Sequence, residues 1–236
     1  MPYTATPAKA LVFYSHTPLG STDQVPCVHE LCMRGCSGQL MLELGIDSTR
    51  RGNLIQLLGL GGCDSIQQMR EQLVTRFGKL KIGIVSEAPE IQELADALGI
   101  PLFDTILKSL EHVDCLLVDS QWNVINDTLS TALESTPDVL KCVVMPATPI
   151  SRTVDPQWQS LVPQQSCVTK NGILVNVSKS QSLVCAYLHE GSTRRDSTTE
   201  FKADHIQQEG CNGSILAWHY LAEIGQKLGH VPKYGA

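Results

Sequence analysis

The chain has 236 residues, enough to bury a sizeable core, and 42% of them are hydrophobic while 18% are charged, as in ordinary globular proteins. The net charge of −6 and the pI near 5.6 argue against a general affinity for nucleic acid or anionic membranes. No apolar run approaches the roughly 18 residues of a membrane span, and the start does not resemble a secretory signal. We therefore expect a single domain, residues 1–236, in the cytoplasm, with the nucleus as the alternative.

The nine cysteines are scattered along the chain and odd in number, which favours reduced thiols over a disulfide framework. Three lie inside apolar runs: Cys115, Cys142 and Cys185. Cys27, His29, Cys32 and Cys36 have the composition of a zinc site, but all four fall on one predicted helix and its exit. A tetrahedral site needs ligands that converge, usually from two separated pairs. We interpret this group as structural, with metal binding and redox chemistry as the minor alternatives.

Apolar runs of strand length alternate with amphipathic segments through the first 145 residues. The predicted strands are Lys9–Tyr14, Gln39–Leu44, Lys81–Val85, Val113–Val118 and Val139–Met145. The predicted helices are Val25–Arg34, Asn53–Leu60, Asp64–Phe77, Glu90–Leu98, Phe103–Leu110 and Trp122–Ser135. Asp64 or Ser65 is expected to cap the third helix, and Gly35 and Gly99 to end the first and the fourth. This alternation predicts a doubly wound, mostly parallel α/β sheet with helices on both faces.

The pattern changes after residue 146. Pro146–Gln165 is rich in proline and polar residues and predicts a loop. Asn171-Gly172, between two β-rich runs, predicts a hairpin turn, and Ser182–Leu188 predicts another strand. Apolar residues at three- and four-residue spacings predict a C-terminal helix over Ser214–Leu228, capped by Ser214. The chain should therefore end in a hairpin and a helix.

Five segments carry a family resemblance through their order and composition. PCVHELCMRGCSGQL follows the opening strand, Asn53–Leu60 is a short helix, and Leu80–Leu98 is a strand followed by a helix. Pro163–Val175 holds the hairpin, and Phe201–Ala236 ends with a Gly-rich turn, a helix and Tyr-Gly-Ala. In this order they resemble enzymes of the alkaline phosphatase superfamily, and above all the archaeal-type cofactor-independent phosphoglycerate mutases.

The resemblance implies two divalent metals, held by Asp and His side chains at strand ends. These metals would lower the pKa of a Ser or Thr nucleophile and clamp the transferred phosphoryl group. It also implies a lid domain inserted after the nucleophile.

The sequence departs from that pattern at most of the expected ligands. Ser15-His16 stands where Asp-Gly is expected after the first strand, and Met145–Ala147 stands where Asp-His is expected after Val139–Met145. Asp119 follows another strand without a histidine, and the chain leaves no room for the lid. Each missing carboxylate removes charge that must offset the dehydration of the cation. We therefore expect no metal and no other cofactor, and a degenerate, lidless relative.

Six residues are the candidates for a vestigial site. His16, Ser48 and Asp119 would line it, with Ser48 or Thr49 as the hydroxyl group, and Arg50 and Arg51 could contact an anion. The ordinary alternatives are a loop histidine, a capping or turn hydroxyl and two solvated surface cations. Asp204-His205 could contact a metal and Arg194-Arg195 an anion, but Asp204-His205 falls in a predicted helix, and solvation at the surface is the commoner role of Arg194-Arg195.

Two functions from different classes follow from these observations. The first is a non-catalytic scaffold or complex subunit with a protein partner, which apolar loops such as Trp158–Pro163 could contact. The second is a metal-dependent phosphoester hydrolase or phosphomutase whose site has been rebuilt near His16, Ser48 and Asp119. Only this second function would require two divalent metals. Neither predicts a nucleic-acid or membrane partner.

Overall fold

A seven-stranded sheet forms the centre of the computed structural model, which describes residues 6–149, 167–211 and 213–232. The strands along the chain are β1 (Lys9–Tyr14), β2 (Cys36–Glu43), β3 (Ile82–Ser86), β4 (Cys115–Asp119), β5 (Val139–Ala147), β6 (Thr169–Lys170), β7 (Ile173–Leu174), β8 (Val177–Leu188) and β9 (Ser214–Leu216). The order across the sheet is β3-β4-β1-β5-β8-β2-β9, and β6 and β7 form a separate hairpin. In the seven-stranded sheet, β8 is antiparallel to both of its neighbours, and the other neighbouring pairs are parallel.

Helices cover both faces of this sheet, so the predicted doubly wound α/β fold is confirmed. The helices are α1 (Pro26–Arg34), α2 (Arg50–Leu57), α3 (Ile66–Phe77), α4 (Pro89–Leu98), α5 (Ile106–Ser109), α6 (Trp122–Ser135), α7 (Ala203–Glu209) and α8 (Tyr220–Lys227). Alternate β1 residues serve opposite cores: Leu11 and Phe13 pack with α1, α6 and α7, while Val12 and Tyr14 pack with α2, α3, α4 and α8. None of these helices has both the length and the apolar character that crossing a bilayer requires.

Several local signals act as the sequence predicts. The Ser65 side chain accepts a hydrogen bond from the Gln68 backbone N–H and caps α3. Gly99 ends α4 in the left-handed region with φ 71°, where glycine has no Cβ penalty. Asn171 and Gly172 both have positive φ (49° and 77°), which is the pattern of a type I′ hairpin turn.

The predicted helix over Ser214–Leu228 is wrong in its first half. Ser214–Leu216 forms β9, which pairs in parallel with β2, and a 3₁₀ turn over Ala217–His219 precedes α8. The Ser214 hydroxyl bonds the side chain of Gln39 rather than capping a helix. The spacing of the apolar residues predicts one helical face over the whole segment. The first three residues instead form a strand, because β2 has a free edge with which they can pair.

Other boundaries also shift. The helix predicted over Asn53–Leu60 begins at Arg50, because the Thr49 side chain accepts from the Gly52 N–H and caps it. Cys36, placed at the exit of a helix by the sequence, is the first residue of β2. Trp158–Pro163, named as a possible docking loop, lies outside the described residues.

Candidate functional site

Three polar side chains meet where β1, β3 and β4 reach the carboxyl edge of the sheet. Tyr14 is in register with Asp119, and Asp119 is in register with Ser86. Residues in register on neighbouring parallel strands direct their side chains to the same face. Ligands of open α/β sheets bind outside this edge, at the point where the strand order reverses. Here β1 lies at that point, between β4 and β5.

Asp119 is the carboxylate at the centre of this group, and its side chain is only 2% exposed. The hydroxyl of Ser86 donates a hydrogen bond to Oδ2, and Nε of Arg50 lies 3.5 Å from Oδ1. Burial raises the pKa of Asp119, while the Ser86 hydrogen bond and the charge of Arg50 oppose that rise. The chain itself therefore supplies a hydrogen-bond donor for Oδ2 and a cation beside Oδ1, which Arg50 contacts as an ion pair rather than through a hydrogen bond.

The first turn of α2 contributes the basic and amide groups of the site. Because Thr49 caps the helix, Arg50 lies in its first turn, between Asp119 and Glu90 at 3.8 Å. One turn later, the Asn53 side-chain amide donates to the Tyr14 hydroxyl over 3.0 Å. Burial raises the pKa of Tyr14 to about 12, so its phenol stays protonated at neutral pH. Two elements, a strand end and a helix start, thus form one connected polar network.

Four buried polar atoms in this network have no hydrogen-bond partner among the described residues. They are His16 Nδ1, Arg50 Nε, Asn53 Oδ1 and Asp119 Oδ1. An unpaired buried polar group costs on the order of 1–3 kcal/mol, so such groups are normally satisfied by protein or by ordered water. Their concentration at one place marks a site that can accept water or a small polar ligand.

A cleft of about 630 Å³ opens farther along the same edge, between the loop after β1 and the end of β5. Its walls come from residues 18–21, 145–148, 180–181 and 202–204. Lys202 and Asp204 are the charged residues among these lining positions. The cleft could hold a ligand beside the end of β1, where the strand order reverses. Few of the side chains that line it could take part in catalysis.

The structure brings together three of the predicted site residues. Arg50 forms an ion pair with Asp119, and the charge of His16 also acts to lower the pKa of Asp119. Ser48 lies two residues before Arg50, and no hydrogen bond joins its hydroxyl to Asp119 or His16 in the described part of the chain. Arg51 forms no ion pair with any described residue, whereas the charge of Arg50 is already neutralised by two carboxylates. Arg50 is therefore a poor anion contact as it stands.

The other candidates lie away from this network. Asp204 and His205 open α7, where the Asp204 carboxylate accepts the backbone N–H of His205. Nδ1 of His29 accepts the backbone N–H of Phe201, so that nitrogen is not available to a metal. Among the described residues, the group of three or more potential metal ligands within reach of one ion consists of Cys36, Asp196 and Cys211. It lies where β2 begins, at the amino edge of the sheet.

Sequence reasoning missed Tyr14, Ser86, Asn53 and Glu90. Ser86 and Asp119 each end a buried strand. That shared position in the sequence could have predicted that their side chains meet. The sequence predicts Asn53 as the first residue of a helix and gives no sign of a functional role for its side chain. Its contact with Tyr14 depends on how α2 packs against β1, which local spacing does not specify.

Comparison with solved structures identifies the fold. The chain is similar to the PH0037 protein from Pyrococcus horikoshii, with a TM-score of 0.62 and 11% identity over 98% of this chain and 99% of that one. It is also similar to a cofactor-independent phosphoglycerate mutase from Thermoplasma acidophilum, with a TM-score of 0.57 and 9% identity over 94% of this chain and 100% of that one. No family model and no curated protein sequence matches the chain. At this identity the likeness establishes a phosphoglycerate-mutase-like fold. Any activity must be argued from the residues of the candidate site.

Proposed function

We propose that this protein is a non-catalytic, lidless member of the alkaline phosphatase superfamily that serves as a scaffold or complex subunit. The observation that carries the proposal is the ion pair between Arg50 and Asp119 at the carboxyl edge. A guanidinium group there neutralises the one buried carboxylate of the network, and a divalent cation would have to displace it. Under this proposal the protein uses no cofactor.

The donor set supports the same conclusion. Two divalent metals need several carboxylates and imidazoles, because their charge must offset the dehydration of the ions. The ends of β1, β3, β4 and β5 provide Ser15-His16, Ser86, Asp119 and Ala147-Thr148. Together with the exposed Glu90 that pairs with Arg50, the described residues of the network supply two carboxylates and one imidazole. Such a set does not fit a two-metal phosphoryl-transfer centre, and no step of that reaction is assigned to it.

The proposed partner is another protein in the cytoplasm, and the exposed apolar surface favours this choice. Ile173 and Leu174 on the β6–β7 hairpin are 69% and 67% exposed, and Leu44 after β2 is 62% exposed. The ion pair of Lys170 with Glu43 holds the hairpin near the end of β2. Large exposed apolar groups in one region are typical of interaction surfaces.

Metal content and turnover test the absence of catalysis. Purified full-length protein, dialysed with Mn²⁺ or Zn²⁺, should retain less than one ion per chain at the carboxyl edge. It should also hydrolyse a generic aryl phosphate no faster than the His16→Ala variant does. Stoichiometric binding of two ions together with turnover that His16→Ala abolishes would contradict the proposal.

The scaffold role has its own test. A single partner should co-purify in constant ratio with the wild-type chain, and the double change Ile173→Ser and Leu174→Ser should reduce that ratio. Val74→Ser is the matched control, because Val74 is 70% exposed but lies on α3. Equal recovery of the partner with all three proteins would exclude the hairpin as the contact surface.

The second candidate is a metal-dependent phosphoester hydrolase or phosphomutase with a rebuilt site. It is favoured by the buried polar atoms of His16 and Asn53 that have no hydrogen-bond partner among the described residues. In that case His16→Ala should remove both metal binding and turnover. His112→Ala, a change at an exposed histidine of another region, should leave both intact.

A further inference from the structure

Two cysteines far apart in the sequence meet at the amino edge of the sheet. Cys36 begins β2, and Cys211 lies in the turn between α7 and β9. Their Sγ atoms are 3.2 Å apart, although the residues are separated by 175 positions. Cys36 is 3% exposed, whereas Cys211 is exposed to solvent. One thiol is therefore accessible to reagents, and the other lies directly behind it.

Asp196 fixes the geometry of this pair. Its Oδ2 accepts hydrogen bonds from the Ser37 backbone N–H (2.7 Å), the Ser37 hydroxyl (2.8 Å) and the Cys211 backbone N–H (3.2 Å). Its Oδ1 accepts from the Thr198 N–H over 3.0 Å. A single carboxylate thus links the start of β2 to the turn that carries Cys211. The approach of the two sulfurs is a consequence of this network rather than of a flexible surface contact.

We propose that Cys36 and Cys211 are a redox site that closes to a reversible disulfide. A disulfide has an S–S length of about 2.05 Å, so the two sulfurs must approach by roughly an ångström, which small side-chain rotations supply. This inference is independent of the proposed scaffold function. It assigns a chemical role to two thiols that the sequence predicts to be reduced.

The oxidant is a small-molecule disulfide of the glutathione class. The exposed Cys211 thiolate attacks one sulfur of the oxidant, forms a mixed disulfide and releases one small thiol. Cys36 then loses its proton to solvent and attacks Sγ of Cys211, which releases the second small thiol. Two protein thiols are oxidised and one small disulfide is reduced to two thiols. Burial raises the pKa of Cys36 to about 12, so the second step should be the slower one.

A metal ion is the competing occupant, because Cys36, Asp196 and Cys211 could each offer one ligand. Two features favour the disulfide. Asp196 already accepts four hydrogen bonds, so its oxygens have little capacity left for an ion. Structural zinc also requires four converging ligands, and the described residues place three here.

The disulfide would stabilise the edge of the sheet. It would join β2 to the turn before β9 and close a loop of about 175 residues in the unfolded chain. Removing that much chain entropy is commonly worth a few kcal/mol, which for a domain of this size raises Tm by roughly 5–10 °C. The oxidised protein should therefore unfold at a higher temperature than the reduced one.

Titration of the full-length protein with oxidised and reduced glutathione tests this inference. Oxidation should remove two hydrogen atoms from the intact mass, and non-reducing peptide mapping should recover Cys36 joined to Cys211. The Tm should rise by roughly 5–10 °C and return on reduction. Cys211→Ser should abolish the cross-link and the Tm shift. Cys27→Ser, a change at a half-buried cysteine outside the pair, should preserve both.

Three results would overturn the inference. The first is a stable glutathione adduct on Cys211 without a cross-link to Cys36. The second is a cross-link that joins other cysteines of the chain equally well. The third is stoichiometric binding of Zn²⁺ alone that protects both thiols from alkylation, which would assign the pair to a metal.

Discussion

Asp119 shows how one buried charge can constrain a site. Its carboxylate is nearly inaccessible and contacts a hydroxyl and a guanidinium group, and the nearby Glu90 pairs with the same guanidinium. Removing one partner of such a pair leaves the other charge uncompensated, which is costly in a buried position. The pair therefore stabilises the present arrangement against an ion entering from solvent.

The Asp119→Asn variant tests the ionisation of this carboxylate. The folded-state pKa of Asp119 is raised above its ordinary value of 3.8, so the folded chain binds more protons in that range. The stabilisation linked to this group is complete below pH 3.8 and is lost as the pH rises through the folded pKa. Hence the unfolding free energy of the wild type minus that of Asp119→Asn should fall across this range.

Urea unfolding between about pH 3 and pH 7 measures this difference. Asp127→Asn is the matched control, because it makes the same change at an exposed aspartate on α6. A difference that rises with pH would show that the folded pKa of Asp119 is lowered instead, as expected if the Arg50 pair outweighs burial.

Gly99 provides a residue-scale test of the backbone. With φ at 71° and nothing within 4 Å of an added Cβ, Gly99→Ala introduces backbone strain without a steric clash. The expected loss of unfolding free energy is about 1–2 kcal/mol by chemical denaturation. Gly99→Asn should cost less, because asparagine tolerates the left-handed region better. Equal stability of Gly99→Ala and wild type would contradict the assigned cap.

At the scale of elements, α6 is the helix that the sequence predicts best. Its bounds, Trp122–Ser135, agree with the prediction because its buried apolar residues recur at helical spacing. The segment 214–228 has similar spacing, but its first half is a strand and a 3₁₀ turn, and only α8 (Tyr220–Lys227) is α-helical. Whether three apolar residues continue a helix or join a sheet depends on a free edge of β2, which is a tertiary property.

The packing of α6 can be tested by two substitutions on opposite faces. Leu129 is fully buried against the sheet, so Leu129→Ala should reduce the unfolding free energy by about 2–5 kcal/mol. Val124 is 40% exposed, and Val124→Ala should change the unfolding free energy by less than about 0.5 kcal/mol. Denaturant titration of both variants measures the contrast. Similar losses at both positions would mean that the assigned buried face is wrong.

The candidate site was less predictable than the elements that form it. His16 and Asp119 could be identified because both follow buried strands, and strand ends of a parallel sheet share one edge. Their relation to Arg50 and Asn53 could not, since it depends on the cap at Thr49 and on the angle at which α2 reaches β1. The pairing of Cys36 with Cys211 likewise depends on the order in which β2 and β9 join the sheet.

For the molecule as a whole, the two edges of the sheet differ in the chemistry they can perform. The carboxyl edge carries a neutralised acid, a protonated phenol and unpaired polar atoms, which can accept water or a small ligand. The amino edge carries the Cys36–Cys211 thiol pair, of which Cys211 is exposed. Both edges belong to one sheet with a phosphoglycerate-mutase-like fold.

Anomalous diffraction from crystals grown with Mn²⁺ tests this central claim most directly. We predict no manganese peak within coordination distance of Asp119 and an intact Arg50–Asp119 pair. Two peaks beside Asp119, with a hydroxyl group placed to attack a phosphoryl group, would contradict the account.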